Sequence, residues 1–205
     1  MLRDVVLLIL LAVPFAAAEQ DFQEVHSELH PVAASNSLHI QWKVGDLHII
    51  KGTDPNNIHI RYTIRTKRES DLKKAKVEFQ THANSMDIEA DSPFRGSTSI
   101  DADIEVPDPM SLDVHLKVGD VKVEGIHGNK TLDVSVGDIR VGMGSEPEYH
   151  TVRARTHIGN VSWSNDGRQM DRLHENGWLG KKLSYESNGK YELSAEVSVG
   201  NIQLQ

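Results

Sequence analysis

Val118-Gly119-Asp120-Val121-Lys122-Val123 decides how the rest of this chain is read, because close variants of it recur. They are Val136-Gly137-Asp138-Ile139-Arg140-Val141, Ile158-Gly159-Asn160-Val161-Ser162-Trp163 and Val199-Gly200-Asn201-Ile202-Gln203-Leu204, with Val44-Gly45-Asp46-Leu47-His48-Ile49 as an outlying copy. Before each glycine the apolar residues alternate, as in Leu112, Val114, Leu116, Val118 and in Leu193, Ala195, Val197, Val199. That period of two marks strands with one buried face. Past the glycine the alternation resumes one residue out of phase, with Val121 and Ile139 inward, so the Gly-Asp or Gly-Asn pair has to be a corner that absorbs the slip. Glycine serves where the turn needs positive φ, and a short Asp or Asn side chain can accept from the turn's free N–H groups. The corner residues are therefore Gly45, Asp46, Gly119, Asp120, Gly137, Asp138, Gly159, Asn160, Gly200 and Asn201.

Gly-Asp and Gly-Asn also signal two-residue hairpins, so a meander competes with a stack of coils. Spacing favours the stack. Successive glycines lie 18, 22 and 41 residues apart from Gly119 to Gly200, which is a coil of about 20 residues with one degenerate coil in the last interval. Leu179-Gly180-Lys181-Lys182-Leu183-Ser184-Tyr185 is the candidate for that coil. The expected fold is all-β, a β-solenoid or β-helix-like stack with regular repeats over 112–205 and one short helical turn in the N-terminal half. That turn is a capped segment, Ser70-Asp71 before Leu72-Lys73-Lys74-Ala75. A hairpin is expected from Val77 and Phe79 to Met86 and Ile88, and strands through Ile58 to Ile64 and Ile100 to Val106.

The N-terminus reads as an export signal over 1–18, with Arg3, an apolar run from Val5 to Val13, and Ala16-Ala17-Ala18 before Glu19-Gln20. A mature N-terminal segment over 19–37 and one domain over 38–205 follow. The expected location is the periplasm, the cell surface or outside the cell. The net charge of −8 is unchanged by loss of Arg3 and Asp4, and argues against nucleic-acid binding, which needs a basic surface. The absence of cysteine excludes disulfides, thiolate zinc sites and a cysteine nucleophile.

Leu38 to Ile49, the hairpin after a short helical piece, the Ile104-Glu105-Val106-Pro107 strand end and the run of corners together resemble the bacterial putative-adhesin family, a domain of unknown function. The resemblance spans about Leu38 to Gln205. It implies an exported or membrane-attached β-solenoid and supplies no catalytic residue.

No catalytic, cofactor or metal residue emerges from the chain itself. A calcium reading of Asp120, Asp138, Asn160 and Asn201 is disfavoured because Asp and Asn interchange there, so hydrogen-bond acceptance matters and charge does not. The outward columns have mixed signs, among them His115, Asp133, Arg155 and Glu196, and gather no carboxylate pair of the kind a glycosidase uses. His26, Glu28 and His30 share one strand face, and His39, His48 and His59 point outward, without a known ligand spacing. Trp163 is in phase with the buried set, while Trp178 lies beside Gly177, at the end of the loop that begins at Asn165. The reading is an exported non-catalytic surface, adhesion-like or envelope module. The alternatives are a polysaccharide-binding or polysaccharide-active β-helix and an envelope sensor. No cofactor is expected, and partners are expected through self-association or protein or glycan contact at the loops or at the terminal coil, where Val197, Val199, Ile202 and Leu204 leave a strand edge to be covered.

Overall fold

A computed structural model describes residues 21–32, 37–93, 98–144, 148–165, 168–169, 174–176 and 180–205. The expected export segment, Trp178, Leu179 and most of the loop 165–177 lie outside the described residues.

Among the described residues the chain is all-β apart from one short α-helical turn. Its strands are β1 (Phe22–Pro31), β2 (Ser37–Val44), β3 (Leu47–Lys51), β4 (Asn57–Thr66), β5 (Lys76–Thr81), β6 (Ser85–Asp91), β7 (Ser99–Val106), β8 (Ser111–Val118) and β9 (Val121–Glu124). They continue with β10 (Lys130–Val136), β11 (Ile139–Val141), β12 (Tyr149–Ile158), β13 (Val161–Asn165), β14 (Arg168–Gln169), β15 (His174–Asn176), β16 (Lys181–Glu186), β17 (Tyr191–Val199) and β18 (Ile202–Leu204). The helix α1 (Glu69–Leu72) lies between β4 and β5. Its N-terminus at Arg68 has no side-chain cap, so the expected Ser70-Asp71 cap does not form. Asp71 instead lies inside the turn, buried, and accepts from Lys74 Nζ at 2.7 Å.

Two nine-stranded mixed sheets result, in the orders β1-β4-β7-β3-β9-β11-β18-β13-β14 and β15-β16-β12-β17-β10-β8-β2-β6-β5. Each glycine corner joins a strand of the second sheet to a strand of the first: β2 to β3, β8 to β9, β10 to β11, β12 to β13 and β17 to β18. Among themselves these strands pair in parallel, in register with the motif, so that Leu112 faces Leu38 and Lys130, and Val121 faces Leu47 and Ile139. Antiparallel strands flank the parallel block. The hairpin β5–β6 forms as expected, and β4 pairs with β7 and β1.

Three expectations need correction. First, the corners are not stacked in chain order: β17 and β18 lie between the strands of the Gly137 and Gly159 corners. The wide interval before Gly200 thus holds no coil in between. The candidate degenerate coil contributes β16, which runs antiparallel on the far side of β12. Second, β18 is bonded to β11 on one side and β13 on the other, so the terminal strand expected to be an open edge is interior. Third, Val118, Val136, Ile158 and Val199, counted above with the buried set, are exposed. The inward series stops two residues before the motif's valine and restarts two after the glycine, because the corner itself turns outward.

Between the sheets lies one apolar core, to which every parallel strand contributes alternate residues such as Ile40, Val114, Val134 and Val197 from one sheet and Ile49, Val123, Val141 and Leu204 from the other. Its largest members are Trp42 and Trp163. Trp163 meets Tyr185 edge to face with centroids 5.1 Å apart. Trp42 donates its indole Nε1–H to the Ile100 carbonyl at 2.7 Å, bridging the two sheets. Trp42→Phe leaves that carbonyl without its donor and opens a small void, so urea melts should show a loss of about 2 kcal/mol.

Candidate functional surface: the glycine corners

The corners form a continuous ladder. Asp101 Oδ1 accepts the backbone N–H of Asp46 at 3.1 Å, Asp46 Oδ1 that of Asp120 at 2.9 Å, Asp120 Oδ1 that of Asp138 at 2.9 Å, Asp138 Oδ1 that of Asn201 at 2.8 Å, and Asn201 Oδ1 that of Asn160 at 3.1 Å. Each side chain thus satisfies a turn N–H of the next corner, a job for an acceptor that an amide performs as well as a carboxylate. Asp101 plays the first part without a glycine, and Arg65 is bonded to its second oxygen. Sequence reading missed it because Ile100-Asp101 carries no Gly-Asp signature.

Glycine is required twice over at these positions. The five corner glycines have φ between +128° and +143°, where a side chain is strained. A Cβ on Gly137 would also overlap the carbonyl oxygen of Gly119, and one on Gly200 that of Gly137.

Beside this ladder runs an apolar stripe. Val44 pairs with Val118, Val118 with Val136, Val136 with Val199 and Val199 with Ile158. Parallel pairing places five branched side chains in one row, about 4.8 Å apart. Val118, Val136, Val199 and Ile158 are 40%, 47%, 44% and 51% exposed. With Val25 and Leu29 they are the large exposed apolar residues among those described. The stripe is flanked by Lys43, Lys117, Ser135, Ser198 and His157 one position earlier and by the Asp/Asn ladder two positions later. Lone exposed valines need no explanation, but a contiguous row points to a contact surface.

The outer faces of the sheets carry short polar pairs. His39 Nδ1 lies 3.1 Å from Asp113 Oδ2, His115 Nε2 lies 3.2 Å from Asp113 Oδ1, His48 bridges Asp103 and Glu124 at 3.3 and 2.9 Å, and His59 meets Ser27 at 2.9 Å. Hydrogen bonds from His48 and then Lys122 hold Glu124 below its ordinary carboxylate range. Asp133 lies opposite His115 and Glu196, and Arg155 opposite Glu196, since β17 separates β10 from β12. Asp133 and Arg155 are therefore not cross-strand neighbours. A shallow groove of about 580 Å³ over β5, β6, β2 and β8 is lined by Gln41, Gln80, Asp87, Glu89 and Asp113 among others. Among the described residues no group of three His, Asp or Glu side chains is placed to hold a metal ion.

At the opposite end of the strands sits a titratable cluster that sequence reading missed. Lys130 is 1% exposed, and its Nζ donates to the carbonyls of Ile126 and Gly128 at 2.7 and 3.2 Å and to Tyr149 Oη at 2.6 Å. Burial pushes its ammonium down to about 8, against the pull of Glu148 and Asp108. Burial also pushes the Tyr149 hydroxyl well up. Nearby, His127 Nδ1 is 2.7 Å from Asp108 Oδ2, which also accepts from Lys51 at 2.8 Å. Burial raises the Asp108 carboxyl, but these two partners outweigh it and hold it low. A depressed lysine beside a tyrosine has the make-up of a proton-transfer pair. Its three donors are engaged inside the fold, however, so it acts as a strut. The signal was in the sequence: Lys130 has the parity of Leu132 and Val134.

No family model matches the sequence, and no curated protein is similar to it. Among solved structures, a putative cell adhesion protein from Clostridium sporogenes is similar over 90% of this chain and 99% of its own, with 13% identity and a TM-score of 0.54. Putative adhesins from Bacteroides fragilis (10% identity, 89% and 97% covered, TM-score 0.31) and Parabacteroides merdae (8%, 88% and 81%, 0.27) are more remote. The first likeness is one of fold.

Proposed function

We propose that the protein is an exported, non-catalytic β-solenoid that serves as a surface, adhesion-like or envelope structural module and meets its partner along the corner stripe. The observation that carries this reading is the row Val44, Val118, Val136, Val199 and Ile158, held at strand spacing by the Asp/Asn ladder. A partner gains from covering such a row, and the ladder keeps the row in place before contact, so little order has to be created on binding. The similarity in fold to the putative cell adhesion protein from Clostridium sporogenes and the export-like N-terminus agree with that role. The outer polar pairs serve solvation and strand matching.

Beads carrying the protein should be retained on surfaces coated with envelope protein or with glycan. Retention should drop about tenfold or more when Val118, Val136 and Val199 are all changed to serine, with the melting temperature nearly unaltered. Equal retention of both bead sets would remove the stripe from the account. Turnover of a polysaccharide in a broad screen, abolished by one outward substitution, would instead place the protein among polysaccharide-active enzymes.

A further inference from the structure

The remaining exposed apolar side chains lie on β1, a ten-residue strand at the end of the first sheet whose other edge is unpaired among the described residues. An edge of this length is normally blunted by lysine, proline, a bulge or inward-pointing charges, and of these β1 from Phe22 to His30 has only the last, in Glu24 and Glu28. From Phe22 to His30 this strand has neither lysine nor proline, and its register with β4 is unbroken. At one edge of the other sheet, β5 carries Lys76.

Alternation on β1 is inverted. Glu24, His26, Glu28 and His30 lie opposite the inward residues Ile64, Tyr62, Ile60 and Ile58, while Val25 and Leu29 lie on the outer face, 49% and 62% exposed. On the inner side His26 stacks on Tyr62 with centroids 4.7 Å apart and meets Glu24 at 3.2 Å. His30 packs on Phe79, and its Nε2 is buried with no hydrogen-bond partner. A single chain thus leaves both faces of this strand incompletely matched.

Glu24-Val25-His26-Ser27-Glu28-Leu29-His30 is complementary to itself when read backwards. We infer that β1 pairs antiparallel with β1 of a second copy of this chain, centred on Ser27. In that register Glu24 faces His30 of the second copy, His26 faces Glu28, and Val25 faces Leu29, each pair occurring twice about the twofold axis. The first sheets of the two copies become one continuous sheet. The inner face gains four carboxylate–imidazole pairs, which hydrogen-bond with the imidazole neutral or charged. The outer face gains an apolar cluster of two valines and two leucines, and the unpaired backbone groups of two edges satisfy each other. A shift of one residue breaks the match by placing Glu and His opposite Val, Ser or Leu. The inference is independent of the corner stripe, which lies on other strands.

Sedimentation of the purified protein should show a concentration-dependent dimer. Leu29→Lys, at a position already open to solvent, should raise the dimer dissociation constant about tenfold or more, since it is felt at two pairs per dimer. Circular dichroism should show the fold intact. The fourfold exchange Glu24→His, His26→Glu, Glu28→His and His30→Glu keeps self-complementarity, so this variant should dimerise with itself. Mixed with differently tagged wild type it should not form heterodimers, because Glu then faces Glu and His faces His. Three results would each overturn the inference: a wild type that stays monomeric at high concentration, a dimer unaffected by Leu29→Lys, or free mixing of the exchanged and wild-type chains.

Discussion

Gly137→Val should leave little folded protein at 25 °C. The substitution puts a β-branched side chain at a φ of +142° and drives its Cβ into the carbonyl oxygen of Gly119. That oxygen belongs to the backbone of the adjacent corner and cannot move without breaking the ladder on both sides. Strain at such a φ costs on the order of 1–3 kcal/mol, and the steric overlap adds to it, so a total above about 4 kcal/mol is expected, close to the whole stability of many domains. The neighbouring position separates geometry from charge. Asp138→Asn keeps an Oδ1 acceptor for the Asn201 N–H and should change the melting temperature little, whereas Asp138→Leu leaves that N–H without its side-chain acceptor at a cost of about 1–2 kcal/mol. Thermal melts of the three variants decide the point; equal damage from Asp138→Asn and Asp138→Leu would show that charge matters at the corner.

Lys130→Met should cost about 3 kcal/mol at pH 7, because it leaves two backbone carbonyls and the Tyr149 hydroxyl without their common donor. That loss outweighs the relief of no longer burying a cation. The pH dependence identifies the group. Lys130 titrates at about 8 in the folded chain, below its ordinary 10.5, so above pH 8 the unfolded chain binds the extra proton and stability rises with pH. Above pH 10 the raised Tyr149 hydroxyl reverses the trend, since the folded chain then keeps a proton that the unfolded chain releases. Urea melts of the wild type should therefore show a gain of about 2 kcal/mol from pH 8 to pH 10. The Lys130→Met variant should show almost none of it, and a wild type with no gain over that window would mean that Lys130 is not buried as a cation at neutral pH.

The residues that repeat were the legible ones. Alternation in Leu112, Val114 and Leu116 announces a strand and the Gly-Asp step after Val118 a break before the next; the strands run over Ser111–Val118 and Val121–Glu124, with Gly119 at a φ of +137° between them. Periodicity reports which side of a strand faces inward but not which strand lies beside it. Nothing local in Tyr191 to Leu204 says that it belongs between β10 and β12, because any strand with the same inward row fits either place. The inversion of β1 was illegible for another reason. Its inward residues are Glu and His, packed on Tyr62 and Phe79, and placing His26, Glu28 and His30 on one strand face does not tell which face is inward. The exposed stripe was misread because Val118, Val136, Ile158 and Val199 extend an apolar series by one step, and hydrophobicity alone cannot mark where the backbone begins to turn.

The position of β17 and β18 has a consequence for the history of each molecule. Until residues 191–204 have emerged, β12 and β13 have no parallel neighbour to join, for the strands that connect them to β10 and β11 follow them in the chain. A nascent chain can assemble the Gly45, Gly119 and Gly137 corners as it appears, but it must hold the Gly159 corner in waiting with a gap one strand wide in each sheet. Residues 191–204 then enter as a wedge, and their arrival joins the two portions in a single step. A chain that emerges from its N-terminus would thus complete its two sheets only after residues 191–204 have followed.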